Sequence, residues 1–345
     1  MQRPVMNPLF MEGAPPVLPP KRGILRGIHW ILRAPLTLLT ADLCFWRRAR
    51  LKVEDGPLWQ RAIKGLLYRV LFLPVLLFLV LAAMVWIATH PWRTVIAADP
   101  LSVGAYYDPV SFTSADGVRL DAWIIPMINA KSVVEQKEKI LKARFPAVVL
   151  VHDMGNNRTQ MLPLIKPLHE AGFVVLVLGL RGSGPGTGTT FGLREAADVQ
   201  AAVNTLRRCT GVDPNRVAVL GVGTGANAAL LAATDDDRIA ALVLDHPVTD
   251  VDEMISRRLS PPQRWLRWAA PLSKWIFEVA YRVDADDLNF RRCKAAVKGR
   301  AVLMFDASSK SITVFQRRGI VQACDFLSSH LKVAPNTNLA TTDTH

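Results

Sequence analysis

The sequence contains very little cysteine. Cys44, Cys209, Cys293 and Cys324 are the only four among 345 residues, and they are widely separated. There is no CxxC pair and no His/Cys cluster with the spacing of metal ligands, which argues against a zinc site and a dense disulfide framework. The favoured interpretation is four small buried apolar residues, although four cysteines are also enough for two disulfides. We expect no metal and no cofactor.

Charge is missing from one long run. Val70–Thr89 contains twenty residues without a charge, and at ~1.5 Å per residue such a helix crosses the ~30 Å hydrocarbon core of a bilayer. Pro74 lies near one end of the run, where a span tolerates it, and Trp86 and Trp92 suit the membrane interface. A transmembrane helix is the leading interpretation, and a buried core helix is the alternative.

Acidic residues are scarce before this run. Residues 1–69 carry twelve Lys or Arg against four Asp or Glu, which accounts for most of the net charge of +13. Beside an apolar run, this excess favours a lipid bilayer over nucleic acid as the partner. The positive-inside rule predicts a single-pass protein with a cytoplasmic N-terminus and an extracytoplasmic domain after His90.

Residues 21–46 have an amphipathic pattern and predict either an interfacial helix or an ordinary surface helix of the soluble domain, while residues 24–46 are a candidate second span. Burying Arg33 in mid-membrane would cost roughly 3 kcal/mol, which argues against a second span.

From residue 108 onward, apolar strands alternate with helices. Asp116-Gly117 between two apolar runs predicts a hairpin. The alternation that follows predicts a mostly parallel sheet with helices on both faces. The predicted organisation is a disordered tail (1–20), a basic amphipathic juxtamembrane segment (21–65), a transmembrane helix (66–90), a linker (91–107), an α/β domain (108–333) and a polar tail (334–345).

The stretch that organises the domain is Arg216–Leu230, RVAVLGVGTGANAAL, an apolar strand followed by a Gly-rich turn and an Ala-rich helix. It matches the nucleophile elbow G-x-S-x-G, in which a serine occupies the apex of the turn. Here the serine is missing, because the apex is Gly223. The same residues also fit G-x-G-x-x-A, a dinucleotide-binding turn, with Asp245 where a ribose partner is expected. The dinucleotide-binding alternative accounts for this stretch but not for the other segments of the domain.

Six segments of the domain carry a further signal in their order and spacing: VSFTSADGVRLDAWIIP, PAVVLVHDMGNNRTQM, LGLRGSGPGTGTTFGLREAADVQAAVNTL, VAVLGVGTGANAAL, LVLDHPVTD and GRAVLMFDASSKSITVF. Taken in order, these segments resemble the α/β-hydrolase superfamily, particularly bacterial membrane-anchored members similar to serine aminopeptidases and acyl esterases. The resemblance covers about Asp108–Val333 and implies the α/β-hydrolase fold, a mostly parallel sheet with helices on both faces, preceded by the transmembrane helix.

The resemblance implies a serine, a histidine and an acid, but the chain does not fill these positions. Gly223 stands at the nucleophile position and Ser309 at the acid position, with Asp306 as a nearby substitute. The base is expected in a Gly-rich loop after a further strand, whereas residues 315–330 predict one helix. His246 is the substitute base that we consider.

The resemblance also places an oxyanion hole at the backbone N–H groups of Met154 and Thr224. Asp153 stands where a glycine is usual, and we expect its carboxylate to oppose the charge that such a hole stabilises. The Thr224 hydroxyl is expected to point away from the pocket.

The leading hypothesis is therefore a membrane-anchored pseudo-hydrolase that binds a small acyl or lipid-like ligand or an envelope protein partner. In this hypothesis the Trp-rich segment Pro261–Trp275 roofs the cleft or touches the membrane. One alternative is an active hydrolase with displaced catalytic residues around His246 and Asp306. Further alternatives are a scaffolding protein, in which the cleft has no role, and a dinucleotide-binding protein.

Overall fold

The computed structural model describes residues 58–92, 94–127, 144–182, 188–249, 254, 268–305 and 313–331. Outside these residues lie the predicted N-terminal tail, residues 21–57 of the juxtamembrane segment, residues 261–267 of the Trp-rich segment and the polar C-terminal tail. The chain divides into two compact units, Met1–Phe72 and Leu73–His345. In the first unit, the described residues all belong to one helix.

That helix, α1, spans Leu58–Thr89 and includes Pro74. Within it, Val70–Thr89 is the one segment among the described residues that is long and apolar enough to cross a membrane, judged by length and composition. Most of its apolar side chains up to Val80 are exposed. From Leu81 onward one face becomes buried, so the last turns of α1 belong to the packed domain.

The strands in the described part of the chain form one seven-stranded sheet in the order β1-β2-β4-β3-β5-β6-β7. Strands β1 and β2 form the hairpin predicted from Asp116-Gly117, β2 pairs antiparallel with β4, and the remaining pairs are parallel. This is the mostly parallel sheet that the sequence predicted. The strands are β1 (Asp108–Thr113), β2 (Arg119–Ile125), β3 (Phe145–Val151), β4 (Val174–Leu178), β5 (Val212–Val222), β6 (Ile239–Asp245) and β7 (Ala301–Phe305).

Helices cover both faces of the sheet, because the central strands are apolar on both sides and have to be shielded from water on each. Helices α3, α4 and α6 pack on one face, and α2 and α7 pack on the other. The helices after α1 are α2 (Leu162–Glu170), α3 (Glu195–Arg208), α4 (Thr224–Asp235), α5 (Ala270–Tyr281), α6 (Phe290–Ala296) and α7 (Arg317–Leu331).

A smaller cluster joins the end of α1 to α5. Leu81 and Val85 are buried there against Phe191, Ile276 and Phe277. The Thr89 hydroxyl accepts a hydrogen bond from the Tyr281 hydroxyl at 2.6 Å, and the Thr89 carbonyl oxygen accepts one from the backbone N–H of residue 189 at 2.8 Å. Helix α1 is therefore fastened at its C-terminal end.

An ion cluster holds the β1–β2 hairpin to the sheet. Arg181, just after β4, is buried and donates to the carboxylates of Asp116 in the hairpin turn and Asp198 on α3. Arg194 also donates to Asp116, at 3.1 Å. Arg181 therefore braces this edge of the sheet.

Candidate active site

The turn between β5 and α4 has the geometry of a nucleophile elbow without a nucleophile. Gly223 adopts φ 56° and ψ −120°, a conformation that side-chain-bearing residues rarely adopt. A Cβ atom at this position would lie 2.8 Å from Asp153 Oδ2 and closer still to Oδ1 and Cγ. The carboxyl group of Asp153 thus occupies the space into which the side chain of residue 223 would project.

The two flanking glycines serve a different purpose. A Cβ on Gly221 would lie 2.7 Å from the backbone nitrogen of Ala226, and one on Gly225 would lie 2.8 Å from the carbonyl oxygen of Val151. Both glycines are therefore required where the start of α4 packs against backbone.

Asp153 Oδ1 is held by three donors. It accepts hydrogen bonds from the backbone N–H of Met154 at 2.8 Å, from the backbone N–H of Thr224 at 2.8 Å and from the Thr224 hydroxyl at 3.0 Å. The start of α4 adds the positive end of its helix dipole. The two N–H groups that the resemblance assigns to an oxyanion hole therefore both donate to Asp153 Oδ1, an oxygen atom of the chain itself.

The Asp153 carboxylate is itself the acceptor of the two N–H groups, so its charge lies where an oxyanion would lie. One expectation about this loop is wrong. The Thr224 hydroxyl does not point away, since it donates to Asp153 and accepts from the Met154 N–H at 2.9 Å. The loop turns back over the start of α4, and that brings both groups inward.

His152 is a structural residue. It is fully buried, its Nδ1 lies 2.8 Å from the carbonyl oxygen of Asp153, and its Nε2 accepts the backbone N–H of Leu180 at 3.2 Å. Because a carbonyl oxygen can only accept, the proton resides on Nδ1. Burial lowers the pKa of His152, which keeps the ring neutral. Both nitrogens are occupied, so this side chain orders the loop that carries Asp153.

A carboxylate–imidazole pair lies at the end of β6, the strand next to the elbow. His246 Nδ1 is 2.7 Å from Asp245 Oδ1, and Asp245 is buried. The backbone carbonyl of Asp245 accepts the N–H of Gly223 at 2.9 Å, which ties the pair to the elbow. Burial raises the pKa of Asp245. His246 has φ 50°, an uncommon value for a residue with a side chain.

The remaining predicted site residues give no further triad member in the described part of the chain. Asp306 and Ser309 lie outside the described residues. After β7 the described chain forms helix α7, as the sequence predicted. His330 lies on this helix, exposed, with Nδ1 2.8 Å from the carbonyl oxygen of Phe326.

Another polar side chain near the elbow forms a local hydrogen bond. The buried Asn227 on α4 accepts the N–H of Val248 at 3.0 Å through Oδ1, while its Nδ2 has no partner among the described residues. The same residues contain no group of three His, Cys, Asp or Glu side chains placed to hold a metal ion.

The geometry gives no support to dinucleotide binding. The Thr224 N–H that would meet a phosphate is bonded to Asp153. Asp245, the expected ribose partner, is bonded to His246.

Comparison with known proteins agrees with the fold. A family model described as serine aminopeptidase, S33, matches residues 143–302. The esterase Pf2001 from Pyrococcus furiosus superimposes with a TM-score of 0.51 at 20% identity, covering 70% of this chain and 99% of that one. This chain is an α/β-hydrolase-fold protein.

Curated relatives of this α/β-hydrolase-fold protein match over part of their length. The uncharacterised protein YfhR of Escherichia coli O157:H7 is 28% identical over 158 residues, which are 45% of this chain and 51% of that protein. The α/β-hydrolase domain-containing protein WAV2 of Arabidopsis thaliana is 27% identical over 157 residues, 45% of this chain and 47% of its own. The chain spans about half the length of the curated relatives it matches.

Sequence reasoning missed the part that Asp153 plays. The signal was present, since an aspartate follows His152 where the resembling families usually have glycine, in the same chain in which glycine replaces the elbow serine. The two features fit together in space, because the Asp153 carboxyl group occupies the volume into which a side chain at residue 223 would project.

Proposed function

We propose that this α/β-hydrolase-fold protein is a membrane-anchored pseudo-hydrolase, which lacks the serine mechanism and binds a ligand or a protein partner. Removing the nucleophile and its base from a serine hydrolase costs on the order of 10⁶ in rate. Here Gly223, which has no nucleophilic side chain, stands at the nucleophile position, and the N–H groups that would stabilise an oxyanion already donate to Asp153 Oδ1.

The Asp153 arrangement is the observation that carries the proposal. A substrate carbonyl oxygen could reach the N–H groups of Met154 and Thr224 only after the carboxylate had left three hydrogen bonds. Hydrogen bonds to a charged group each contribute about 1.5–3 kcal/mol. The Asp153 carboxylate therefore occupies the place where an oxyanion would bind.

Fluorophosphonate labelling and ester hydrolysis by the full chain in detergent test this proposal. We expect neither label nor turnover from the natural protein. Gly223→Ser alone should also fail, because its side chain meets Asp153. Asp153→Gly/Gly223→Ser opens the space, and label on that variant would show that a usable base remains, with Asp153→Gly as its matched control. Turnover by the natural protein above the Asp153→Gly background would contradict the proposal.

A second candidate, an active hydrolase with displaced residues, is favoured by one observation. The Asp245–His246 pair has the contact that orients a general base. If this pair activates water or a displaced nucleophile, His246→Ala and Asp245→Asn should each abolish any measured turnover, whereas His330→Ala on α7 should leave it intact. Turnover that survives in both dyad variants would exclude this candidate.

Anchoring by α1, with the basic N-terminal segment in the cytoplasm and the domain outside it, is part of the proposal. It is supported by the length and composition of Val70–Thr89 and by the excess of basic residues before it. An alkaline phosphatase fused to the C-terminus should be active in cells. An inactive phosphatase with a fluorescent cytoplasmic reporter at the same point would reverse the orientation.

A further inference from the structure

A cleft of about 490 Å³ opens beside the end of α1, within the ~300–1,000 Å³ typical of ligand sites. Its apolar walls come from α1 and α5, and its lining also includes polar side chains. Neither Gly223 nor Asp153 lines it, so it is distinct from the elbow. Among its lining residues are Ala82, Val85, Trp86, His90, Ala280 and Tyr281.

The position of this cleft along α1 indicates what can enter it. The stretch of α1 with most apolar side chains exposed, Val70–Val80, is eleven residues long. At ~1.5 Å per residue it covers ~16 Å, about half of a ~30 Å hydrocarbon core. If α1 spans a bilayer, its later turns must lie in the membrane as well. Those turns form a wall of the cleft.

The outward surfaces next to the cleft suit a lipid environment. Trp86 and Ile87 on α1 are each 63% exposed, although the neighbouring Val85 is buried. On α5, Trp275 and Val279 are four residues apart, so they share one face, and both are more than half exposed. Tryptophan is enriched at membrane interfaces. Exposed apolar side chains therefore lie beside the cleft on both α1 and α5.

The polar side chains that line the cleft offer hydrogen-bond acceptors. His90 Nδ1 lies 3.0 Å from the carbonyl oxygen of Trp86, which places the proton on Nδ1 and leaves Nε2 as an acceptor. Tyr281 donates its hydroxyl proton to Thr89 and keeps lone pairs free for a ligand. The cationic side chains here, Arg181 and Arg194, are paired with carboxylates. A neutral head group that donates hydrogen bonds fits better than an anion.

We propose that this cleft binds the acyl chain of a neutral membrane lipid, whose hydroxyl or amide N–H donates to His90 Nε2 and the Tyr281 hydroxyl oxygen. The inference rests on the proposed membrane anchoring and does not depend on whether the serine mechanism is lost. The chain lies along Ala82, Val85 and Ala280, and lipid enters from the bilayer past Trp86.

The test uses the full chain in lipid nanodiscs and an alcohol of about 16 carbons that carries a photoreactive diazirine, a length that matches one leaflet of the bilayer. After illumination, peptide mapping locates the adduct. We expect labelling of residues 82–90 and 276–281, reduced by about tenfold in Ala280→Trp, which fills the cleft. Val279→Trp, one residue away on the exposed face of α5, is the matched control and should label normally. Tyr281→Phe should retain chain binding and reduce the preference for the alcohol over the corresponding carboxylic acid.

Labelling confined to Val70–Val80, or equal in Ala280→Trp and Val279→Trp, would overturn the site. Stronger labelling by the carboxylic acid would overturn the neutral head group. Hydrolysis of a fatty ester measured on the same samples keeps the two proposals apart. Turnover together with labelling in the cleft would contradict only the pseudo-hydrolase proposal. The absence of both turnover and cleft labelling would contradict only the lipid-binding proposal.

Discussion

At Gly223, two independent constraints act on one residue. Its φ of 56° favours glycine, and the Asp153 carboxyl group leaves no room for a Cβ atom. Gly117 in the hairpin turn separates the two effects, because it has φ 85° but nothing within 4 Å of where its Cβ would lie. Substitution at both positions therefore distinguishes backbone strain from steric overlap.

We predict that Gly223→Ala destabilises the protein by roughly 2–4 kcal/mol, from backbone strain plus overpacking. Gly117→Ala should cost about 1–2 kcal/mol, from backbone strain alone. Urea unfolding of the full chain in detergent measures both. In an Asp153→Ala background, Gly223→Ala should destabilise the protein no more than Gly117→Ala does. A larger destabilisation that persists in that background would show that Asp153 does not fill this space.

At the scale of secondary-structure elements, the Arg181 cluster connects the hairpin, the end of β4 and α3. The Arg181 guanidinium lowers the pKa of Asp116 to about 2, against 3.8 for an ordinary aspartate. Burial acts in the opposite direction on Asp198 and raises its pKa. Only the Asp116 contact therefore gives stability that is present above pH 3.8 and lost as the pH falls toward 2.

We predict that Asp116→Asn lowers the free energy of unfolding at pH 7 by up to about 2 kcal/mol. The difference from the natural protein should shrink as the pH falls from 4 to 2, since the unfolded carboxyl group protonates near 3.8 while the folded one stays charged to about 2. Asp325→Asn, at an exposed position on α7, is the control. A difference independent of pH would rule out the charge as its source.

Asn157 links another pair of elements. Its Nδ2 donates to the carbonyl oxygens of Thr94 and Val95, at 3.0 and 3.2 Å, and its Oδ1 accepts the N–H of Thr159 at 2.8 Å. One amide thus fastens the segment after α1 and caps the short helix Arg158–Met161.

We predict that Asn157→Asp keeps the cap and releases the segment, because a carboxylate cannot donate to the two carbonyl groups. Amide hydrogen exchange in residues 94–98 should become about tenfold faster, in line with hydrogen bonds worth about 1 kcal/mol each. Asn157→Ala should give the same effect there and also faster exchange at Thr159. Unchanged exchange in residues 94–98 in both variants would mean that other contacts hold this segment.

At the scale of the whole molecule, α1 and the domain after it are not independent. Leu81 and Val85 are buried in the cluster with Phe191 and Phe277. A fragment beginning at Ala97 would lose these side chains and expose the aromatic residues beneath them. Work on the domain therefore requires the end of α1 as well.

We predict that Leu81→Ala destabilises the full chain in detergent by about 2–5 kcal/mol, the usual cost of truncating a fully buried leucine. Leu79→Ala, at a position 58% exposed, should change stability by less than about 0.5 kcal/mol. Thermal unfolding followed by tryptophan fluorescence compares them. Equal midpoints for the two variants would show that the end of α1 contributes nothing to the core.

The fold was accessible from the sequence because its signals are local. Apolar β-branched runs such as Ala147–Val151 and Val174–Leu178 are strands in the structure, and residues 315–330 gave the helix Arg317–Leu331. Asp116-Gly117 gave the hairpin turn. In each case a short stretch carries its own periodicity or its own turn residues.

The site was accessible only in part. The sequence by itself determined that a strand–turn–helix elbow forms around Gly223 and that this residue offers no nucleophile, since both follow from the residues of one stretch. Only the tertiary structure decided that the Asp153 carboxylate occupies the elbow and that Leu81 belongs to the domain core. Asp153 and Thr224 are 71 positions apart. Contacts of this kind depend on how separate loops and helices pack together, which no local pattern specifies.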